Sequence, residues 1–113
     1  MSIERHEPGE FFSQIVVHND TVYLAGHVAH GDSVKEQMAK VLSQIDERLG
    51  RVGSDRSKLL SATIWLTDIA TFAEMNEVWL GWIDPDNKPV RATVEARLAD
   101  PAFRVEVMVV AAR

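Results

Sequence analysis

Two apolar runs near the C-terminus alternate strictly, and this constrains the fold more than any other feature of the chain. From Val90 to Ala96, the residues Val90, Ala92, Val94 and Ala96 fall on one side of an extended backbone and Arg91, Thr93 and Glu95 on the other. From Val105 to Val110, the valines 105, 107 and 109 share one side and Glu106 takes the opposite one. A period of two over both runs excludes helix and calls for two half-buried strands. With their apolar sides packed on the core, the strands present Arg91 and Glu106 on the non-core face, and the short intervening loop can make them neighbours. An arginine fork grips a planar carboxylate well, and a glutamate beside it can orient or deprotonate a water. The same two residues also fit an ordinary cross-strand ion pair, worth about 0.2–1 kcal/mol. Spacing alone leaves both readings open.

Upstream, Gln14 to His18 and Thr21 to Ala25 are short β-rich runs split by Asn19-Asp20, a pair that tolerates positive φ and suits a tight hairpin. Val34, Met38, Val41, Leu42, Ile45 and Leu49 then recur at helical spacing. Ser33-x-x-Glu36 supplies a capping box, and Gly50 or Gly53 the stop. Leu60, Ala62, Ile64 and Leu66 alternate as a strand. A second helix carries Phe72, Met75, Trp79, Trp82 and Ile83 on one stripe, opened by Thr71-x-x-Glu74 and ended before Pro85. The predicted order is ββαβαββ, an α+β fold with a mixed sheet and two helices on one face. Trp65 points away from Ile64 and Leu66, and Met108, Val110 and Ala112 share the side of Glu106, so the uncovered face carries apolar residues that other copies of the chain would bury.

Composition narrows the function. At 113 residues the chain makes one domain, 1–113, without repeats or linkers. It has no cysteine, so a disulfide framework, a thiolate zinc site and a thiol nucleophile are all excluded. No apolar run approaches the ~20 residues of a membrane span, and Met1 to Glu10 is too charged for a signal peptide, which predicts a cytoplasmic protein. A formal net charge of -5 argues against nucleic acid as a partner and favours a small organic ligand. His27 and His30 lie close in sequence but lack a third ligand of suitable spacing, so they read as solvated loop histidines and no metal is expected. Ser13 has no evident His/Asp partner for a triad.

The string Pro89-Val90-Arg91-Ala92-Thr93-Val94-Glu95 followed by Arg104-Val105-Glu106-Val107 resembles the C-terminal signature of the Rid/YjgF family, the reactive intermediate (enamine/imine) deaminases formerly called L-PSP endoribonucleases. Phe12-Ser13-Gln14-Ile15-Val16 is similar to the family's Tyr-Ser-Gln. Leu24-Ala25-Gly26-His27-Val28-Ala29 is similar to Ser-Gly-Gln-Ile-Pro, and Asp68 through Asn76 to an Asp-hydrophobic-x-x-Phe-x-x-x-Asn segment. The motifs occur in order over essentially the whole chain. Its shortness and paired tryptophans look most like the YoaB-like branch.

The resemblance implies a chorismate-mutase-like fold in a homotrimer whose sheets enclose a central barrel, with three clefts between subunits. It implies that Arg91 holds the substrate carboxylate and that Glu106 positions the hydrolytic water. Thr93 falls where the family holds ligand through backbone atoms; an ordinary strand residue is the alternative. Asn76 interrupts an apolar stripe, as a ligand contact or as a polar helix residue. Gly26 reads as close backbone packing at a strand end. Phe12 departs from the family's tyrosine: it retains an aromatic wall of the substrate site and lacks the hydroxyl. His27 and Ala29 depart from the family's Gln and Pro.

The implied reaction is hydrolysis of a 2-enamine or 2-imino acid to the 2-oxo acid and ammonia, without metal or organic cofactor. Such intermediates already react with water, so holding the carboxylate and aiming a water suffices. The alternatives are a catalytically weak module that binds a small carboxylate such as a 2-oxo acid, and a ribonuclease in keeping with the older family label. The absent hydroxyl at Phe12 favours the module; Glu106 favours the enzyme.

Overall fold

The structure, a computed structural model, describes residues 2–113. The strands are β1 (Glu4–Pro8), β2 (Ser13–His18), β3 (Thr21–Leu24), β4 (Leu59–Leu66), β5 (Val90–Glu95) and β6 (Val105–Ala112). Helix α1 (Val34–Arg51) lies between β3 and β4, and α2 (Phe72–Trp82) between β4 and β5. The six strands form one mixed sheet in the order β1-β2-β3-β6-β4-β5, in which only β4 and β5 run parallel. The β4-α2-β5 unit is the crossover that parallel pairing requires.

Local chemistry explains most boundaries. Asn19 and Asp20 take φ of 53° and 61°, closing the β2–β3 hairpin through two residues that tolerate the left-handed region. Ser33 caps α1 by accepting from the Glu36 amide at 3.1 Å, and Gly53 at φ 80° turns the chain after it. The Glu36 carboxylate reaches the Asp32 amide at 2.9 Å. Thr71 precedes α2 without capping it: its hydroxyl donates to the Asp68 carbonyl at 2.6 Å, so the expected Thr71-x-x-Glu74 box does not form.

The core is the layer between the helices and one sheet face. Met38, Val41, Leu42, Ile45 and Leu49 of α1 pack with Ile15, Val17, Val22, Ile64, Val107 and Val109, all buried. Each such side chain contributes about 1.5–3 kcal/mol from burial. Gln37 is fully buried among them. Its amide donates to the Gly31 and Ala102 carbonyls at 3.0 and 2.9 Å and accepts from the Arg104 amide at 2.8 Å, fixing the β5–β6 loop to α1.

Three expectations change. The first strand, β1, was absent from the predicted order, and the observed succession is βββαβαββ. Glu-Arg-His-Glu-Pro has no apolar alternation to reveal an edge strand. Next, β4 lies between β5 and β6, so the strands bearing Arg91 and Glu106 are not neighbours. Finally, the faces of β5 are reversed. Arg91 and Thr93 are in register with Ala62 and Ile64, whose side chains are in the core, while Val90, Ala92 and Val94 are exposed on the other side. Alternation separates the two sides of a strand, but only the neighbours decide which side meets the helices.

The open face carries Val16, Tyr23, Trp65, Val94, Met108 and Val110, aligned across the strands by register. Trp65 pairs with Glu106 and Val94, as its position opposite Ile64 and Leu66 required.

Candidate functional site

Arg91 projects from edge strand β5 towards α2. Its Nη1 donates to Asn76 Oδ1 at 2.8 Å, and its guanidinium carbon lies 5.2 Å from the Trp79 ring centroid and 5.6 Å from that of Phe72. The helical stripe thus supplies more than core: two of its aromatic rings flank the cation and hold it. Arg91 has no carboxylate partner among the described residues. Burial pulls its pKa down, yet a guanidinium keeps its charge at neutral pH. Two residues along, Thr93 Oγ1 is buried without a hydrogen-bond partner on the same side of β5. Arg91 and Thr93 therefore share one side of β5 with Asn76 bonded to Arg91, and Nη2 and Nε of the guanidinium make no hydrogen bond among the described residues.

Glu106 lies elsewhere. Trp65, its register partner on β4, is three residues from Ala62, the partner of Arg91, so the two charged side chains leave opposite faces of the sheet. Glu106 joins Phe12, Val16, Tyr23, Leu24 and Ala25 around a recess of about 410 Å³. The cross-strand ion pair to Arg91 that the spacing allowed is not formed, and its carboxylate accepts no hydrogen bond from a described residue. Burial alone pushes its pKa above the ordinary glutamate value. Gly26 abuts this carboxylate, so that a β-carbon there would displace it. One chain therefore brings Phe12 to Glu106 and Asn76 and Thr93 to Arg91, but does not join the two groups.

His27 is not a solvated loop residue; it is 3% exposed. Its backbone pairs with Val107, His27 N donating at 2.8 Å and Val107 N donating back at 3.1 Å, beside Glu106. Its Nδ1 donates to the Ala25 carbonyl at 2.6 Å, which leaves Nε2 buried and unpartnered. His30 is exposed, its ring 5.0 Å from that of Phe103. Among the described residues no three His, Asp or Glu side chains gather as a metal site, and no helix is long and apolar enough to cross a membrane.

Comparison with known proteins identifies the family. Residues 3–113 match the family model described as Endoribonuclease L-PSP. The chain is 42% identical to the RutC family protein YoaB of Escherichia coli over 99% of both chains. The crystal structure of a YjgF family member from Neisseria meningitidis superposes with a TM-score of 0.98 at 41% identity, covering 100% of this chain and 96% of that one. A more distant relative is the chloroplastic Reactive Intermediate Deaminase A of Arabidopsis thaliana, 28% identical over 88% of this chain and 57% of its own length.

Proposed function

This chain belongs to the endoribonuclease L-PSP family, also called Rid/YjgF, in its YoaB-like branch, and from that premise we propose that it hydrolyses 2-enamine and 2-imino acids to 2-oxo acids and ammonia. The observation that carries the reading is that an arginine and a glutamate both stay unpaired and partly desolvated, each in a setting suited to one half of that reaction. The Arabidopsis relative named as a deaminase supports the same chemistry.

Arg91 receives the substrate carboxylate. Asn76 and the rings of Phe72 and Trp79 fix the guanidinium beforehand, so little ordering remains at binding. Glu106 accepts a proton from water as its oxygen adds to C2 of the imine. That proton passes to nitrogen and leaves a carbinolamine; the carbinolamine's hydroxyl proton then moves through Glu106 to nitrogen, the C–N bond breaks, and ammonia leaves as the C2 carbonyl forms. The recess of about 410 Å³ that Glu106 lines has room for that water. Because one chain sends the two groups to opposite faces, the working site draws Arg91 from one copy and Glu106 from another, in a homotrimer with three such clefts. Burial of Trp65, Val94 and Met108 against other copies drives that assembly.

The test generates imines in place with amino-acid oxidases and follows semicarbazone formation and ammonia release. The protein is expected to suppress the semicarbazone signal and speed ammonia release, and an inactive Glu106→Gln variant ties the effect to the site. The absent hydroxyl at Phe12 favours a second reading, a 2-oxo-acid binding module. It prevails if the acids bind through Arg91 and no imine is turned over.

A further inference from the structure

We infer that a second ligand site lies between α1 and the sheet, built for a small zwitterion of the free amino-acid type and separate from Arg91 and Glu106. A cavity of about 550 Å³ opens there, larger than the recess at Glu106 and sharing only Phe12 and Gly26 with it. Its volume is that of a small-ligand pocket. His27, 3% exposed, lines it with a ring whose Nδ1 donates to the Ala25 carbonyl at 2.6 Å. A carbonyl only accepts, so Nδ1 carries the proton and Nε2 is left as a buried acceptor without a donor. Desolvation lowers the pKa of the ring and favours this neutral form. On α1, Arg48 Nε is buried without an acceptor. The cavity therefore presents one unmet acceptor and one unmet donor, and buried polar groups rarely stay so.

Charge decides what kind of molecule satisfies both. The formal charges on the wall cancel, Glu7 and Glu47 against Arg48 and Arg51. Glu7, held at φ 53° in a conformation that costs free energy for a residue with a β-carbon, sets its carboxylate 2.6 Å from Arg51 Nη1 and 3.9 Å from Arg48 Nη2. An anion alone would face both acids and a cation alone both arginines, whereas an ammonium and a carboxylate on one small molecule are each matched. The carboxylate accepts from Arg48 Nε, and the ammonium donates to His27 Nε2 and faces Glu7. Gln14 and Gln44, also on the wall, can pair with polar atoms at either end. A single water would fill only about 30 Å³ of this space.

The experiment titrates alanine, propionate and ethylamine, which carry both charges, the carboxylate alone and the ammonium alone, into the wild type and Arg91→Ala and follows protein NMR shifts. Both proteins should bind alanine alike, with shifts centred on the His27 ring and the Arg48 Nε–H. In Arg91→Ala, propionate and ethylamine should bind about tenfold more weakly than alanine or worse. Arg48→Met keeps the stem and loses the guanidinium; Gln44→Trp fills the cavity from a half-buried position on α1. Each, checked for unchanged assembly and added to Arg91→Ala, should weaken alanine binding about tenfold or more. Propionate or ethylamine binding as tight as alanine in Arg91→Ala, no shift with alanine at roughly 50 mM, or binding that survives Gln44→Trp overturns the inference. Loss of alanine binding in Arg91→Ala overturns it too, by placing the amino acid in the substrate site. None of these results bears on imine hydrolysis, so the deaminase reading stands or falls separately.

Discussion

Gly26 and the Glu106 carboxylate are in such close contact that a β-carbon on residue 26 would come within 2.0 Å of Glu106 Oε2. The neighbour is the far end of a flexible side chain, so a substituent would move the carboxylate and leave the fold in place. Gly26→Ala should therefore unfold within a few °C of the wild type while imine hydrolysis falls about tenfold or more through misplacement of the water. A thermal melt and an imine assay on the same preparation separate the two effects. A variant of wild-type activity would mean that the position of the carboxylate is immaterial.

Arg91 and Asn76 should differ in kind. Arg91→Ala removes a charge-assisted contact worth about 1.5–3 kcal/mol, weakening 2-oxo-acid binding roughly ten- to hundredfold. Asn76→Asp keeps the shape but places a carboxylate against the guanidinium that Asn76 now meets at 2.8 Å. It would compete with the ligand and weaken binding severalfold. Calorimetry with a 2-oxo acid checks both.

Burial raises the pKa of Glu106, and a base must be ionised to act. The acid limb of kcat/KM against pH should therefore lie above the ordinary glutamate range. Glu106→Gln should lower hydrolysis by about 10²-fold or more, with 2-oxo-acid affinity held within a few-fold. The raised folded value favours folding at low pH and loses that benefit as pH rises through it. The Gln variant should accordingly gain stability relative to the wild type towards neutral pH, seen as a higher urea midpoint.

His27 has the opposite sign. Desolvation holds its pKa below the ordinary histidine value; Arg48 lowers it further, while the Ala25 carbonyl and Glu7 oppose the shift. Its neutral form stabilises the fold fully above the unfolded value, and the benefit is lost as pH falls towards the depressed folded one. Urea midpoints of the wild type should drop more steeply than those of His27→Gln between about pH 7.5 and about pH 5.5. Parallel curves for the two proteins would contradict the buried neutral ring.

What the sequence made legible follows from where periodicity and caps speak. The α1 stripe, the Ser33 cap and the Asn19-Asp20 hairpin were readable because each has a local physical signature. Arg91 and Glu106 were readable as motif positions, and the side of β6 that carries Glu106 was readable too, but the side of β5 that carries Arg91 was not. Val90, Ala92 and Val94 alternate with Arg91 and Thr93 whichever side meets the helices, and the parallel pairing with β4 decides it. β1 was hidden because its five residues lack alternation, and the burial of Gln37 and His27 depends on carbonyls distant in sequence or hidden by a turn.

We propose that imine hydrolysis occurs at a site built from Arg91 of one copy and Glu106 of another. Mixing Arg91→Ala with Glu106→Gln after dissociation and reassembly tests it directly, because neither variant alone has an intact site. In a cyclic trimer every mixed assembly contains one cleft with both residues native, so equal mixing should restore about a quarter of wild-type hydrolysis. Activity no higher than the sum of the two variants, in assemblies shown to be mixed, would contradict the shared site and with it this account of the chemistry.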